Sequence, residues 1–510
     1  MNGAKSLVDT LLSCGVDACF ANPGTSEIHF VAELQHKYSM RYVPCLTEGV
    51  VAGATDGFGR MLDRPAVALL HCGPGLANGL AYFYDAFRAK SPAVVIVGDQ
   101  ATHHSPLNPL LTSNIAEWAR QVSVSVRTAK RADEVGALAA SAVSDATTLP
   151  GHISTLVLPS DTSWNEGGVA AGRCAVSPPQ KVDDRTIKAI AQVLNGRKRT
   201  VILLGGRALR EAAMLDAYRI AAATGATLLA PVSNARHERG RGRVPVERTV
   251  YPADAALKAF AEVENVILVG AAEPVAPFGS ADKPGRLLPA GCGVHVLATG
   301  EQDLGEALAN LADYMAVPIV APPAEPTPES PGRGAPTPEG LAASVGFLMP
   351  EHAIVVDESI SYGRGFFKYS HGAAPHDWMQ NVGGAIGEGP SLSIGAAIAA
   401  PNRRVVNLQA DGSAAYTMPA LWTQARERLN VTTILISNRK YAILENEMRN
   451  SGVGDPTGNT LSLTDPELNW MQIAQGMGVQ AERVHSLDRL NLLLEASYSS
   501  PGPFLIELMV

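Results

Sequence analysis

The chain has 510 residues, of which 46% are hydrophobic and 18% charged, with 48 glycines and 35 prolines. At about 150 residues per domain, this length predicts about three domains, and the residue balance excludes a disordered or coiled-coil protein. Lysine and arginine number 41 against 49 aspartate and glutamate residues, which gives a net charge of -8. Since no long basic run accompanies this charge, we expect neither nucleic acid nor a membrane as a partner.

The apolar runs and the cysteines predict a location in the cytoplasm. The N-terminal segment lacks the apolar core of a signal peptide, and the run 391–400 is about half as long as a segment that spans a bilayer. No CxxC pair is present, which predicts small core residues in a reducing compartment rather than a zinc site. The six cysteines are Cys14, Cys19, Cys45, Cys72, Cys174 and Cys292.

Composition along the chain predicts where the domains begin and end. Proline, glutamate, glycine and serine crowd together in 318–339 with no apolar period, which predicts a linker. A weaker break falls at Pro178 and Pro179. The predicted domains are therefore 1–175, 182–317 and 340–510.

A pattern of strand, helix and strand recurs in each predicted domain. Short apolar runs predict strands at 66–70, 93–97, 200–204, 227–229, 266–269, 404–408 and 431–437. Helical spacing ends at about residue 90 in the first domain and covers 183–194 and 419–429, with turns at 73–75 and 411–413. This predicts an α/β fold of three open domains with mainly parallel sheets. In such sheets, ligands bind at the carboxyl ends of the strands.

Two polar residues follow neighbouring predicted strands of the last domain. Asp411 ends one strand and Asn438 ends the next, 27 residues later, so one strand–helix–strand unit places them side by side. A carboxylate and an amide oxygen at this edge can hold a divalent cation bound to a phosphate. The alternative is that Asp411 only caps a helix and Asn438 only makes a turn.

The segment 410–413, followed by Asn438, resembles the cofactor motif of the thiamine diphosphate (ThDP) dependent 2-oxo acid decarboxylase and acetohydroxyacid synthase superfamily. The family motif begins with glycine, and Ala410 stands in its place here. The resemblance covers essentially the whole chain and implies pyrimidine-binding, middle and diphosphate-binding domains. It also implies that Mg²⁺ is held by Asp411, Asn438 and the backbone carbonyl of Lys440, an all-oxygen set.

Further motifs at 22–25, 47–49, 56–60 and 70–75 resemble the family's pyrimidine-binding domain, and 383–387 resembles the turn over which the cofactor bends. By this resemblance Glu48 activates the cofactor, Ile386 is the apolar wedge and the Gly384 carbonyl accepts from the 4′-amino group. The cofactor contacts that it implies are Pro23, Gly24, Thr25, Glu48, Ser361, Gly384, Ile386, Asp411, Gly412, Ser413 and Asn438.

The chemistry of ThDP explains why a carboxyl group is needed at Glu48. The cofactor reacts as its C2 ylide, and its aminopyrimidine must become the imino tautomer to remove the C2 proton. A carboxyl group bonded to ring N1′ favours that tautomer. The flanking Val43, Leu46 and Val50 predict burial, so a polar partner for Glu48 is expected. The alternative is a solvated turn glutamate.

Histidines close to these motifs are candidates for proton transfer. His71 aligns with an active-site histidine of benzoylformate decarboxylases, and the pair His103 and His104 resembles the paired histidines of pyruvate decarboxylase-type enzymes. We therefore predict Glu48, His71 and His104 as catalytic residues. For His103 and His104 the alternative is an exposed loop. The middle domain offers Phe278 but no histidine where benzoylformate decarboxylases bring one, so the substrate stays open.

The middle domain carries a basic run formed by Arg236, His237, Arg239, Arg241 and Arg243. Flavin-requiring members of the superfamily bind FAD in this domain, but the run shows no flavin fingerprint, and FAD is not an expected cofactor. We interpret this charge run as a solvated loop or a subunit contact.

The resemblance implies a ThDP- and Mg²⁺-dependent lyase. It would decarboxylate a small 2-oxo acid through a C2 ylide and an enamine, with aldehyde release or carboligation. One alternative is an acetolactate synthase-like carboligase that forms an acyloin, and another is a non-catalytic subunit with the same fold. The family implies a homodimer or homotetramer with active sites shared between chains.

Overall fold

The computed structural model describes residues 1–35, 39–279, 283–326, 328–363 and 365–510. The chain forms two compact units. The first consists of 1–177, 330–366 and 381–510, and the second of 178–329 and 367–380. The predicted boundaries of three domains stay a prediction. Within the described residues, 318–326 and 328–337 contain no helix or strand.

The N-terminal part of the first unit is a parallel sheet covered by helices. Its strands are β1 (Ala18–Asn22), β2 (Arg41–Pro44), β3 (Ala66–His71), β4 (Ala93–Asp99), β5 (Ser125–Thr128) and β6 (Ile153–Pro159), in the order β2-β1-β3-β4-β6-β5. Its helices are α1 (Gly3–Ser13), α2 (Ile28–Gln35), α3 (Glu48–Leu62), α4 (Cys72–Ala89), α5 (Ile115–Ala119), α6 (Val135–Thr147) and α7 (Ser160–Trp164).

The predicted strands of this region are confirmed, but the predicted turn at 73–75 is wrong. Helix α4 begins at Cys72, so Gly73, Pro74 and Gly75 form its first turn. Proline is well suited to this position, because the first N–H groups of a helix have no partner within the helix. The chain therefore passes directly from β3 into α4 at His71.

The second unit contains a five-stranded parallel sheet and an antiparallel strand pair. Its elements before residue 329 are α8 (Asp184–Asn195), β7 (Thr200–Leu204), α9 (Glu211–Thr224), β8 (Thr227–Ala230), β9 (His237–Arg239), β10 (Glu247–Arg248), α10 (Ala253–Phe260), β11 (Asn265–Val269), β12 (Gly293–Ala298) and α11 (Leu304–Tyr314). The parallel strands have the order β10-β8-β7-β11-β12. All of the strands predicted for this region are confirmed.

The rest of the chain adds a second sheet to the first unit. The elements are α12 (Pro338–Leu348), β13 (Ile354–Glu358), α13 (Phe366–Tyr369), β14 (His376–Gln380), α14 (Gly389–Ala399), β15 (Val405–Ala410), α15 (Asp411–Ala414), α16 (Ala420–Arg426), β16 (Val431–Ser437), α17 (Ala442–Asn450), α18 (Trp470–Gly476), β17 (Gln480–Val484), α19 (Leu487–Ser499) and β18 (Phe504–Met509).

In this sheet the five strands β17-β18-β16-β15-β13 are parallel neighbours, whereas β14 pairs with β9 antiparallel within the second unit. The predicted α/β class with mainly parallel sheets is confirmed. The predicted turn at 411–413 is wrong in detail, because those residues begin the short helix α15.

Helices α3 and α14 join the two sheets of the first unit through contact between their backbones. A β-carbon on Gly57 would lie 2.1 Å from the Leu392 carbonyl oxygen, and one on Gly395 would lie 1.9 Å from the Ala54 carbonyl oxygen. Both distances are far below van der Waals contact. Glycine at these positions therefore allows the helix axes to approach closely.

A buried group of charges fixes the same helix pair. Arg60 of α3 lies 2.5 Å from Asp56 one turn earlier and 3.4 Å from Glu388, the residue before α14, and all three side chains are buried. Burial of this kind is tolerated only when the opposite charges are paired. Arg60 thus compensates two carboxylates and sets the register of α3 against α14.

The solvated-loop interpretation of the basic run 236–243 was wrong for His237 and Arg239, whereas Arg241 is exposed. The alternative of a subunit contact stays a prediction. His237 and Arg239 lie in β9 and are fully buried. The Arg239 guanidinium stacks over the Phe367 ring at 3.3 Å and donates to the Phe367 and Val246 carbonyls. Burial holds the pKa of His237 well below its usual value. These side chains form the core around the β9–β14 pair.

The cysteines are free thiols, and five of the six are buried, as the core interpretation predicts. Cys174 is partly exposed. No helix among the described residues combines the length and the hydropathy needed to cross a membrane.

We predict that Gly57→Ala destabilises the protein by about 1–3 kcal/mol, because the new methyl group would force α3 and α14 apart. The measurement is chemical denaturation of the full chain. Gly476→Ala in α18 is the matched control, since a β-carbon there meets no atom within 4 Å. Equal free energies of unfolding for the two variants would contradict the close approach of α3 and α14.

Candidate active site

Most predicted residues of the N-terminal domain collect at the carboxyl edge of the first sheet. Pro23, Gly24 and Thr25 follow β1, Glu48 begins α3 after β2, and His71 ends β3. Strands β2, β1 and β3 are neighbours. The topology therefore brings these residues to one edge, as the sequence predicted.

Glu48 is partly buried, in the first turn of α3. Its carboxylate accepts a hydrogen bond from Asn78 Nδ2 of α4 at 3.1 Å. The predicted polar partner of Glu48 is therefore Asn78. The predicted apolar surroundings are only partly correct, because Val43 and Val50 are buried but Leu46 is 47% exposed.

His71 belongs to a cluster with two residues of the 22–27 segment. Its Nδ1 lies 3.0 Å from Glu27 Oε2 and 3.0 Å from Ser26 Oγ. Glu27 is completely buried and also accepts from the Gly24 N–H at 2.7 Å. A β-carbon on Gly24 would lie 2.4 Å from the His71 ring. The absence of a side chain at Gly24 thus makes room for the imidazole.

The pair His103 and His104 follows β4 in an exposed segment. His103 Nδ1 lies 3.9 Å from Asp161, and the His104 N–H donates to the Ala101 carbonyl at 2.8 Å. The exposure of both histidines agrees with the alternative of an exposed loop. A catalytic role for His104 stays a prediction.

The predicted diphosphate and metal residues follow three adjacent strands of the second sheet. Ser361 lies in the turn after β13, Asp411 directly follows β15, and Asn438 follows β16. Strand β15 pairs with both β13 and β16 in parallel. The three residues therefore lie at one sheet edge.

Asp411 is a buried carboxylate that accepts hydrogen bonds from backbone N–H groups. Its oxygens accept from the Arg439 N–H at 2.6 Å and the Gly412 N–H at 2.8 Å. Burial raises the pKa of Asp411 despite these bonds. Among the residues that the structure describes, none forms a salt bridge with it. Such a carboxylate is costly unless a cation compensates it.

Asn438 and Lys440 border a polar cavity of about 390 Å³. The Asn438 Oδ1 accepts from the Lys440 N–H at 3.1 Å, and the Lys440 ammonium pairs with Glu445 at 2.8 Å. The other lining residues are Arg439, Pro456, Gly458, Asn459, Leu461, Ser462 and Thr464. The cavity is thus open to polar groups of a ligand beside the predicted metal residues.

Residues 381–389 form a turn, here called the glycine turn, that carries Gly384 and Ile386. Gly384 has φ +93° and Gly387 has φ +98°, a region that favours glycine. The Ile386 side chain is 38% exposed, and its role as the wedge stays a prediction. Tyr82 donates to the Ile386 carbonyl at 3.0 Å, and Asp85 accepts from the Ala385 N–H at 3.1 Å.

Several polar residues of this arrangement were missed at the sequence level. They are Glu27, Asn78, Tyr82, Asp85 and Glu358. Glu27 lies three residues beyond Gly24, so the motif itself offered a signal for its capping contact. The remaining four contact residues 29 or more positions away along the chain. A single sequence contains no signal for such pairs.

Parallel α/β sheets with polar residues collected at the carboxyl ends of the strands are typical of cofactor-dependent enzymes. Residues 1–124 match the model of the thiamine pyrophosphate enzyme N-terminal TPP binding domain, and residues 362–508 match that of the C-terminal TPP binding domain. The chain belongs to the thiamine pyrophosphate enzyme family and is a ThDP-dependent enzyme, as the resemblance implied.

Relatives of full length support this assignment. The chain is 44% identical to "Putative acetolactate synthase large subunit IlvX" of Mycobacterium tuberculosis, over 100% of this chain and 99% of the relative. It is 27% identical to benzoylformate decarboxylase of Pseudomonas aeruginosa, with 97% and 96% covered. The 4-hydroxybenzoylformate decarboxylase of Rhodococcus jostii has the same fold, with TM-score 0.86, 23% identity and coverage of 99% and 98%.

Proposed function

We propose that this enzyme is a ThDP- and Mg²⁺-dependent lyase that decarboxylates a 2-oxo acid and releases an aldehyde. The observation that carries the proposal is the pair formed by His71 and the buried Glu27, at the sheet edge that also holds Glu48. This edge offers one carboxyl group for cofactor activation and one imidazole for later proton transfer. A non-catalytic subunit would not need both.

The residues present fit the cofactor and its metal. Asp411 is a buried carboxylate that lacks a cationic partner within the described residues, and Asn438 adds an amide oxygen at the same edge. With the Lys440 carbonyl, these oxygens suit a hard divalent cation that neutralises a diphosphate. Ser361 lies in the turn at the same edge and can donate to a phosphate oxygen. The Gly412 N–H donates to Asp411 and the Ser413 hydroxyl donates to the Ala410 carbonyl, so both would exchange these bonds for a phosphate oxygen.

When bound, ThDP supplies a carbon that attacks the 2-oxo group and accepts the electrons released with CO₂. Glu48 is placed to exchange a proton with the pyrimidine ring, and Asn78 holds its carboxylate through one oxygen. Pro23, Gly24 and Thr25 border the same edge. Ile386 and the Gly384 carbonyl would support the pyrimidine from the other domain.

His71 can move a proton at its Nε2. When Glu27 is ionised, His71 Nδ1 is the nitrogen that donates to it, because a carboxylate can only accept. The neutral imidazole then presents a free electron pair at Nε2. Glu27 therefore orients His71 and selects its tautomer. His104 is a further candidate for proton transfer once a substrate is bound.

The second candidate function is an acetolactate synthase-like carboligase that joins two 2-oxo acids into an acyloin. The relative of 44% identity that carries an acetolactate synthase name favours it. The purified enzyme should be incubated with ThDP, Mg²⁺ and a panel of aliphatic and aryl 2-oxo acids. Release of CO₂ with one equivalent of aldehyde supports the lyase, and acyloin formation supports the carboligase. No turnover of any 2-oxo acid would contradict both.

We predict that Asp411→Ala abolishes ThDP binding in the presence of Mg²⁺, because the diphosphate loses its charge-neutralising bridge. Isothermal calorimetry with and without EDTA measures this. Asp313→Ala, an exposed aspartate of α11, is the control and should bind like wild type. ThDP binding by Asp411→Ala that equals wild type, or wild-type binding that EDTA leaves unchanged, would contradict the metal assignment.

We propose a homodimer or a homotetramer with active sites shared between chains. Within this chain, Tyr82 separates the start of α3 from the glycine turn, since its ring meets Gly49 and its hydroxyl bonds to the Ile386 carbonyl. Apolar side chains near both edges are exposed, including Leu46, Ile386, Tyr416 and Tyr441. A second copy would cover them and bring a glycine turn to Glu48.

We predict that co-refolding Glu48→Gln chains with Asp411→Ala chains restores about a quarter of wild-type activity, since half of the randomly formed dimers contain one intact site of two. Each variant alone should be inactive. Steady-state turnover of the mixture, with the oligomeric state followed by light scattering, is the measurement. Sites contained within one chain would give no recovery.

We predict that Glu48 and His71 act at different stages. Glu48→Gln should slow exchange of the C2 proton of bound ThDP by several orders of magnitude, because an amide cannot exchange the proton. His71→Ala should leave that exchange nearly normal while lowering turnover by about 100- to 10,000-fold. NMR of the exchange and steady-state kinetics measure the two effects. Wild-type exchange in Glu48→Gln would contradict activation by this residue.

A further inference from the structure

We infer that Glu358, at the end of β13, is a positioning residue that holds the glycine turn in the conformation needed to bend the cofactor. The inference rests on the proposed function, because it assigns Ile386 of that turn as the wedge. Glu358 does not touch the cofactor in this assignment. It acts through the backbone that follows Ile386 and, through Gln409, on the segment that would bind the diphosphate.

Glu358 is buried, with 3% of its surface exposed, and its carboxylate accepts hydrogen bonds from three donors. Its Oε1 accepts from the Gly387 N–H at 2.5 Å, and its Oε2 accepts from the Gly389 N–H at 2.9 Å. The third donor is Gln409 Nε2, at 2.8 Å from Oε2. A buried carboxylate is expensive, and among the described residues Glu358 is compensated by hydrogen bonds and by no salt bridge. The free-energy cost of burying this carboxylate is explained if it fixes a conformation that function needs.

The bonds from Glu358 fix the backbone immediately after the wedge. Gly387 follows Ile386 and has φ +98°, so its peptide groups have an orientation that other residues rarely adopt. Glu358 binds its N–H, and Thr417 Oγ1 donates to its carbonyl at 2.6 Å. Tyr82 also donates to the Ile386 carbonyl. The side chains of Glu358, Thr417 and Tyr82 therefore all hold the main chain of Ile386 and Gly387.

The same network reaches the diphosphate segment. Gln409 lies opposite Glu358 in the parallel pair of β13 and β15, and its Nε2 also donates to Ser413 Oγ at 2.7 Å. A β-carbon on Gly389 would lie 2.1 Å from Gln409 Oε1, so glycine permits this close contact. Glu358 and Gln409 thus connect the glycine turn to the segment 411–413. The position of the wedge relative to the segment 411–413 is set by these two buried side chains.

A positioning role differs measurably from a purely structural one. If Glu358 only stabilised the fold, its replacement would change the melting temperature and leave the bound cofactor reactive. If it positions the wedge, the cofactor still binds through its diphosphate, but the pyrimidine and C2 are misaligned. A misplacement of about 1 Å can lower a rate by about 100-fold.

The test uses Glu358→Gln in the full-length holoenzyme. Glutamine has the same shape, but its NH₂ group faces N–H donors and cannot accept from them. We expect ThDP affinity by calorimetry to stay close to wild type, and C2-proton exchange of the bound cofactor, followed by NMR, to slow by about 100-fold. Glu507→Gln is the matched control, a buried glutamate of the same sheet that pairs with Arg483 and should leave exchange unchanged.

Thr417→Val provides an independent second variant, because it removes only the hydroxyl that holds the Gly387 carbonyl. It should slow C2-proton exchange in the same direction by a smaller factor, and it decides the matter if Glu358→Gln does not fold. Wild-type exchange in a folded, ThDP-bound Glu358→Gln, or in Thr417→Val when that variant decides, overturns the inference. Failure of the wild-type chain itself to bind ThDP would instead overturn the proposed function.

Discussion

The close approach of helices α3 and α14 is the constraint on which the first unit depends. Gly57 and Gly395 allow the backbones of the two helices to come into contact, and the buried group of Arg60, Asp56 and Glu388 fixes the register. Packing at this distance tolerates neither added methyl groups nor an unpaired charge. The two sheets of the unit therefore have one way to fit together through these helices.

This packing also decides where the chemical groups lie. Glu48 is the first residue of α3, and Gly389, which bonds to Glu358, is the first residue of α14. Both helices start at the sheet edges where the candidate site residues lie. The same helix pair thus gives stability at its centre and places a carboxylate and the glycine turn at its ends. A change in the packing of α3 against α14 would therefore alter both the stability of the unit and the geometry of the candidate site.

The sequence predicted the strands and the site edges because both follow from local patterns. Apolar runs marked β3, β15 and β16, and the residue after each parallel strand reached the expected edge. The basic run 236–243 was misinterpreted, because charge indicates solvent unless tertiary partners such as Phe367 are known. Glu358 was missed for the same reason. Its donors Gly387 and Gly389 are 29 and 31 residues away, and no local pattern connects them.

Side chains of helix α4 contact two separate parts of the candidate site, Glu48 and the glycine turn. Asn78, which binds the Glu48 carboxylate, is one turn from Tyr82, and Tyr82 and Asp85 bind the glycine turn. Successive turns of a helix move together because their hydrogen bonds are continuous. A shift of α4 along its axis would alter the orientation of Glu48 and of Ile386 at once. The orientation of Glu48 and the position of Ile386 therefore cannot be adjusted separately, because both are held by side chains of the same helix.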